Sequence, residues 1–182
     1  MTALTQTQSS ARAMLTANAE PTQYLTFMLA GEVFALGILA VKEIIEYHSL
    51  TVVPMMPDCV RGVINLRGAV VPVMDLLARF GRTSSEVTKR TCIVIVEVLT
   101  AEQESQVIGV IVDAVNEVLD IAPSDIEPAP AFGARIRTDF IHGMGKVKGK
   151  FVILLDADHV LSMDEITQLA QAPAQASALA LN

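Results

Sequence analysis

Apolar positions in this chain fall into short alternating or continuous runs broken by Gly, Pro and charged residues, a pattern that predicts strands rather than long helices. The most tightly specified stretch is 60–80, VRGVINLRGAVVPVMDLLARF. Val63, Ile64 and Leu66 lead into Arg67-Gly68 and Ala69 to Met74 lead out, so a glycine able to take positive φ stands where a two-residue hairpin requires one. Pro72 has no N–H to give to a ladder, which predicts that its strand lies at an edge or breaks there. Asp75 is placed to cap a helical turn over Leu76 to Phe80, and Gly81 to close it.

Upstream, YLTFMLAGEVFALGI predicts a second hairpin around Ala30-Gly31-Glu32, and LAVKEII (39–45) predicts a further strand. The two prolines of TVVPMMPD (51–58) predict an extended connector. Downstream, CIVIVEVL and VIGVIVDAVNEVLDI flank the charged tip AEQESQ and predict another hairpin. Pro123, Pro128 and Pro130 then impose an irregular connector. Ser124 with Glu127, and Ser162 with Glu165, have the spacing of capping boxes, the second opening a helix of roughly ten residues.

The pattern occurs twice. FIHGMGKVKGKFVILLDADHVL repeats the features of CVRGVINLRGAVVPVMDLLARF 81 residues later, since 149 − 68 = 81. Gly62 falls on Gly143, Arg67-Gly68 on Lys148-Gly149, Val71 on Val152, Asp75 on Asp156 and Phe80 on Leu161. LAVKEII likewise resembles DAVNEVL (113–119) at an offset of 115 − 41 = 74, which sets Val41, Glu43 and Ile44 on Val115, Glu117 and Val118. Two unlike segments recurring in the same order are the signature of a duplicated unit stacked on its twin. The expectation is a mostly β fold of two small barrels, roughly 23–85 and 90–162, within a domain at 22–165. A flexible tail is expected at 1–21, and the end of a helix with a frayed tail at 166–182. Arg67 and Glu43 each stand among apolar neighbours and are predicted to pair, with Lys148 and Glu117 repeating the contact.

Composition narrows the function. Apolar residues make up 52% of the 182 residues and aromatics only 4%, so the core must be aliphatic, which suits β-sheet. A net charge of −7 repels phosphate backbones, and scarce aromatics provide no base-stacking platform, so no nucleic-acid partner is expected. Cys59 and Cys92 are too few for a disulfide framework and are expected as reduced core thiols. With no secretory signal and no apolar run of about 20 residues, the sequence predicts a cytoplasmic protein.

Catalytic motifs fail in detail. GMGKVKGK (143–150) has the glycines and lysines of a phosphate loop, but its spacing is one residue short and Phe151 opens a strand rather than a helix. DADH (156–159) lacks the later ligand and glycine of a calcium loop, so a helix cap on a solvated face is expected instead. No serine lies in a nucleophile elbow and neither cysteine has a nearby histidine in sequence. The residues therefore predict no enzyme, no metal and no cofactor, and leave a protein-interaction module.

FALGILAVKEI, VRGVINLRGAVVPVMDL, IGVIVDAVNEVL and GKFVILLD resemble the CheW family of chemotaxis coupling proteins, from about Gln23 to Leu161. The resemblance implies two intertwined SH3-like five-stranded β-barrels with a few short helices. It also implies a non-catalytic adaptor between methyl-accepting chemoreceptors and the histidine kinase CheA, associated with membrane only through the receptors. The kinase's regulatory domain is expected at Val41, Glu43 and Ile44. The receptor's cytoplasmic tip is expected in an apolar groove at Ile38, Cys92, Gly109 and Val118. Asn65, Arg67 and Gly68 are expected to shape the docking surface. An adaptor of a different chemosensory system, such as type IV pilus motility, is the first alternative, and a phosphate-ligand-binding enzyme using Gly143 to Lys150 is a distant one.

Overall fold

The computed structural model describes residues 20–129 and 136–167, so the expected tails at 1–21 and 166–182 lie almost wholly outside the described residues. The chain forms β1 (Thr22–Leu29), β2 (Glu32–Gly37), β3 (Val41–Glu46), β4 (Val60–Leu66), β5 (Ala69–Asp75), the short helix α1 (Leu76–Arg79), β6 (Cys92–Leu99), β7 (Ser105–Val112) and β8 (Ala114–Ile121). It continues with β9 (Ile126–Glu127), β10 (Ile141–Val147), β11 (Lys150–Leu155) and α2 (Ala157–Val160). A further helical stretch starts at 163 and is described to 167.

The strands make two mixed sheets, ordered β8-β1-β2-β11-β10-β9 and β3-β6-β7-β5-β4. β5 runs parallel to β7 and β11 parallel to β2. Apart from β9 the two orders are the same: β3 answers to β8, β6 to β1, β7 to β2, β5 to β11 and β4 to β10. The second unit is thus completed by the two N-terminal strands, and the chain's duplication is circularly offset.

The expectation of closed five-stranded barrels is corrected: neither sheet is closed, and one has six strands. Closure would require a ladder between the outermost strands. On the five-stranded sheet that outer edge of β4 is taken by Thr51, which exchanges both backbone hydrogen bonds with Val63 at 3.0 and 2.8 Å. On the other sheet β9 occupies the equivalent edge of β10. Glycines make both approaches possible. A Cβ on Gly62 would stand 2.5 Å from the Thr51 carbonyl oxygen, and one on Gly143 would stand 2.6 Å from Ile126.

The strand carrying Pro72 neither lies at the sheet edge nor breaks, contrary to expectation. Val63 spends its N–H and C=O on Thr51, so Val63 and Pro72 face each other as a non-hydrogen-bonded pair and the Pro72 nitrogen points away from β4. Pairing with β7 on that side begins only at Val73, so no ladder bond is lost at the proline. The Ser124–Glu127 box does not form either. Pro123 opens a single 3-10 turn there with no side-chain cap. At the second box, the Glu165 N–H donates to Ser162 Oγ at 3.4 Å.

Continuous apolar runs are explained by burial on both faces. In β6, Val94, Val96 and Val98 enter a central core shared by the two sheets, while Ile93 and Ile95 enter a smaller cluster with Ile64, Val71 and Val73. The other sheet has its own cluster around Val152 and Leu154, which are the repeat positions of Val71 and Val73. Asp75 and Asp156 cap α1 and α2 as the repeat requires: Asp75 Oδ1 accepts from Leu77 N at 3.0 Å, and Asp156 Oδ1 from His159 N at 3.2 Å. Through the central core Phe27, Phe34, Phe80 and Phe140 follow one another with centroids 6.3, 5.8 and 6.2 Å apart, so few aromatics still link β1, β2 and the 3-10 turn before β10 to the end of α1.

Candidate protein-docking site

The hairpin turn anticipated at Arg67-Gly68 is built as its sequence demands, with φ of 52° and 85°, both in the left-handed region of a type I′ turn. Asn65 makes that turn specific, because its Oδ1 accepts the Gly68 N–H at 2.8 Å. The turn then delivers Arg67 to β3, where Nη2 lies 2.7 Å from Glu43 Oε2. The other Glu43 oxygen, Oε1, is buried and has no hydrogen-bond partner. β3 and β4 are the two outermost strands of their sheet, so this ion pair spans a gap that no backbone ladder closes.

The second unit keeps the backbone of this arrangement and loses its charge pairing. Lys148 and Gly149 have φ of 50° and 77°, reproducing the turn. Among the described residues, however, Glu117 and Lys148 form no ion pair, contrary to the expectation from the repeat. Glu117 is instead engaged through its backbone. Its N–H donates to Thr26 Oγ1 at 3.2 Å and its carbonyl accepts from the same hydroxyl at 2.8 Å.

Val41, Glu43 and Ile44 lie together on β3. Val41 packs against the central core and is half-buried, whereas Ile44 is 43% exposed. Cys92 starts the neighbouring strand, opposite Glu46, and Ile38 sits half-buried in the 3-10 turn that carries the chain from β2 into β3. Val118 lies on β8, an outermost strand of the other sheet, and is 46% exposed. Gly109 differs from all of these. It is buried in the middle of β7, and a Cβ there would stand 2.9 Å from Ile93 Cγ2 and 3.2 Å from Val73 Cγ2. Its influence on any surface must therefore pass through the packing of β6 and β5.

Among the exposed apolar residues that the sequence reading missed, Val70 at 72% and Phe151 at 52% stand out as counterparts. The signal was present in the repeat, since 151 − 70 = 81, and both follow a hairpin turn at the same position. Val70 rises from the hairpin that Arg67 ties to β3, next to the strand of Ile44.

The motifs that mimic catalytic sites are structural. Gly143 to Lys150 belong to β10, its turn and the start of β11, and Asp156 serves as a helix cap that also pairs with His159 at 2.9 Å. Among the described residues no group of three or more His, Cys, Asp or Glu side chains is placed to hold a metal, and no helix is long and apolar enough to cross a membrane. Cys59 and Cys92 are free thiols, and burial pushes the Cys59 thiol above its ordinary pKa.

Two mixed sheets that share a central core and leave apolar residues exposed on outermost strands and hairpins suit an interaction module. The chain matches the family model for the CheW-like domain over residues 23–174. It is 32% identical over 144 residues to the chemotaxis protein CheW of Klebsiella aerogenes, covering 79% of this chain and 84% of that protein. It is 34% identical over 143 residues to the chemotaxis protein CheW of Rhizobium meliloti, covering 79% and 89%. The crystal structure of the scaffolding protein TtCheW from Thermoanaerobacter tengcongensis superimposes with a TM-score of 0.70 at 35% identity, covering 81% of this chain and 92% of that one. The chain belongs to the CheW family.

Proposed function

We propose that the chain is the non-catalytic adaptor that couples methyl-accepting chemoreceptors to the histidine kinase CheA, acting at the cytoplasmic tips of receptor arrays and meeting the membrane only through those receptors. Family membership supports the adaptor role. The observation that carries the kinase assignment is the exposed Ile44 on an outermost strand, beside Glu43 and the hairpin that Arg67 fastens to it. In this reading the kinase's regulatory domain covers Ile44 and the adjoining Val41 and Glu43, while Asn65, Arg67 and Gly68 hold the hairpin that frames them. The receptor tip meets Ile38, Cys92 and Val118, with Gly109 acting beneath the surface through packing.

The test is titration of the purified chain with a CheA regulatory domain and with a receptor-tip fragment from the same organism. Micromolar affinity, about −8 kcal/mol, is expected for a transient signalling contact. Ile44→Glu is a cleaner probe than Val41→Glu, because Val41 also packs on the core and its loss would perturb folding. Absence of any complex, or a complex with the kinase domain unaffected by Ile44→Glu, would refute the assignment.

A further inference from the structure

Arg79, the last residue of α1, breaks the repeat: the position 81 residues on (79 + 81 = 160) is Val160. The two counterparts touch. Arg79 Nε donates to the Val160 carbonyl at 3.0 Å, and its guanidinium carbon stands 4.4 Å from the centre of the Phe140 ring. The side chain is only 5% exposed, yet its Nη2 is buried without a hydrogen bond, and the nearest carboxylate oxygen is Glu165 Oε2 at 3.4 Å.

Glu165 belongs to the helical stretch starting at 163, and it serves two cations. Its Oε1 takes Arg137 Nη1 at 2.5 Å, and Arg137 also stacks on Phe140, 4.6 Å from the ring centre, while bonding Asp139. Arg137 is half-exposed, so water and Asp139 satisfy it without Glu165. Buried Arg79 has no such alternative among the described residues. A desolvated guanidinium that loses its counter-ion is far more costly than a pair replaced outright by apolar groups.

We propose that Arg79 and Glu165 form a latch across the seam between the two units. Glu165 holds the 163–167 stretch, α2 and the Phe140 turn against α1. When its charge is lost, these segments open as one local unit while both sheets remain paired. Ile166 and Met163 carry the apolar part of the same contact, packing on the central core. Because α1 follows directly from β5, the latch sets how the hairpin-bearing unit is seated on its twin.

Amide hydrogen exchange on the full chain tests the latch. Glu165→Gln is expected to speed exchange at least tenfold at the Phe80, Val160, Leu161 and Ile166 amides, with Val94 and Val110 in the sheet unchanged. Glu165→Met combined with Arg79→Met should return the four amides to within about threefold of wild type, because no buried charge is then left unpaired. Arg137→Gln should leave them unchanged or slow them, since Glu165 is then free to serve Arg79 alone. Wild-type exchange in Glu165→Gln, an equal rise at Val94 and Val110, failure of the double variant to restore protection, or faster exchange in Arg137→Gln would each overturn the latch.

Discussion

Arg67 and Glu43 meet at 2.7 Å across the gap between the two outermost strands of the five-stranded sheet. The pair is lopsided: Arg67 is 77% exposed, whereas Glu43 is 26% exposed and keeps one oxygen buried and unpartnered. Removing the cation therefore leaves a partly desolvated carboxylate behind. Arg67→Ala is expected to cost about 1–2 kcal/mol, above the ~0–1 kcal/mol of a fully exposed pair and below the loss from a buried one. Glu43→Gln should cost less, because Arg67 is already hydrated. Urea unfolding of both variants and the double variant measures the coupling, and a coupling indistinguishable from zero would show that the gap is held by other contacts.

The two helix caps give a second comparison. Asp75 is buried, caps Leu77 N at 3.0 Å and Ala78 N at 3.4 Å, and pairs with Arg61 at 3.3 Å. Asp156 caps one amide and its side chain is about a third exposed. Asp75→Ala should lose about 2–3 kcal/mol and Asp156→Ala about 1 kcal/mol, read from urea midpoints. Equal losses would mean that the repeat is energetically symmetric despite its unequal burial.

Gly109 and Gly68 separate two reasons for a glycine. Gly109→Ala should destabilise by about 1–3 kcal/mol, because the added methyl meets Ile93 Cγ2 at 2.9 Å and must displace β-branched neighbours. Gly68→Ala meets nothing within 4 Å but sits at φ of 85°, so only about 1 kcal/mol of backbone strain is expected. If Gly109→Ala weakens receptor binding with wild-type stability, the indirect role assigned to Gly109 is wrong.

The sequence made the hairpins, the caps and the repeat legible because each rests on local chemistry: Gly at positive φ, Asp before a helical turn, alternation of apolar positions. It also disclosed the Arg67–Glu43 pair, since a charge among apolar neighbours needs a partner. Open sheets were not legible. They depend on Thr51 and Ile126 occupying edges from distant connectors, which no local pattern encodes. The missing Glu117–Lys148 pair makes the same point, since duplication preserved the turn geometry but did not oblige the side chains to keep their partners. The docking positions on β3 and β8 came from the family resemblance rather than from any local pattern, whereas Arg79 was hidden because it breaks the repeat.

Exposed Val70 and Phe151 provide the sharpest test of whether the two similar units do similar work. They are repeat counterparts and both leave a large apolar side chain in water, at 72% and 52% exposure. Neither packs in a core cluster, so replacing either with Asp should change stability by less than about 0.5 kcal/mol. Their effects on binding should differ. Val70 stands on the hairpin that Arg67 joins to the strand of Ile44, so Val70→Asp is expected to weaken the kinase regulatory domain about tenfold, or 1.4 kcal/mol. Phe151 lies on the other sheet, next to a lysine-bearing turn with no such pair, so Phe151→Asp should leave that affinity unchanged. Calorimetric titration of both variants decides it: equal loss would place the kinase contact on both units, and loss only with Phe151→Asp would move it off β3 altogether.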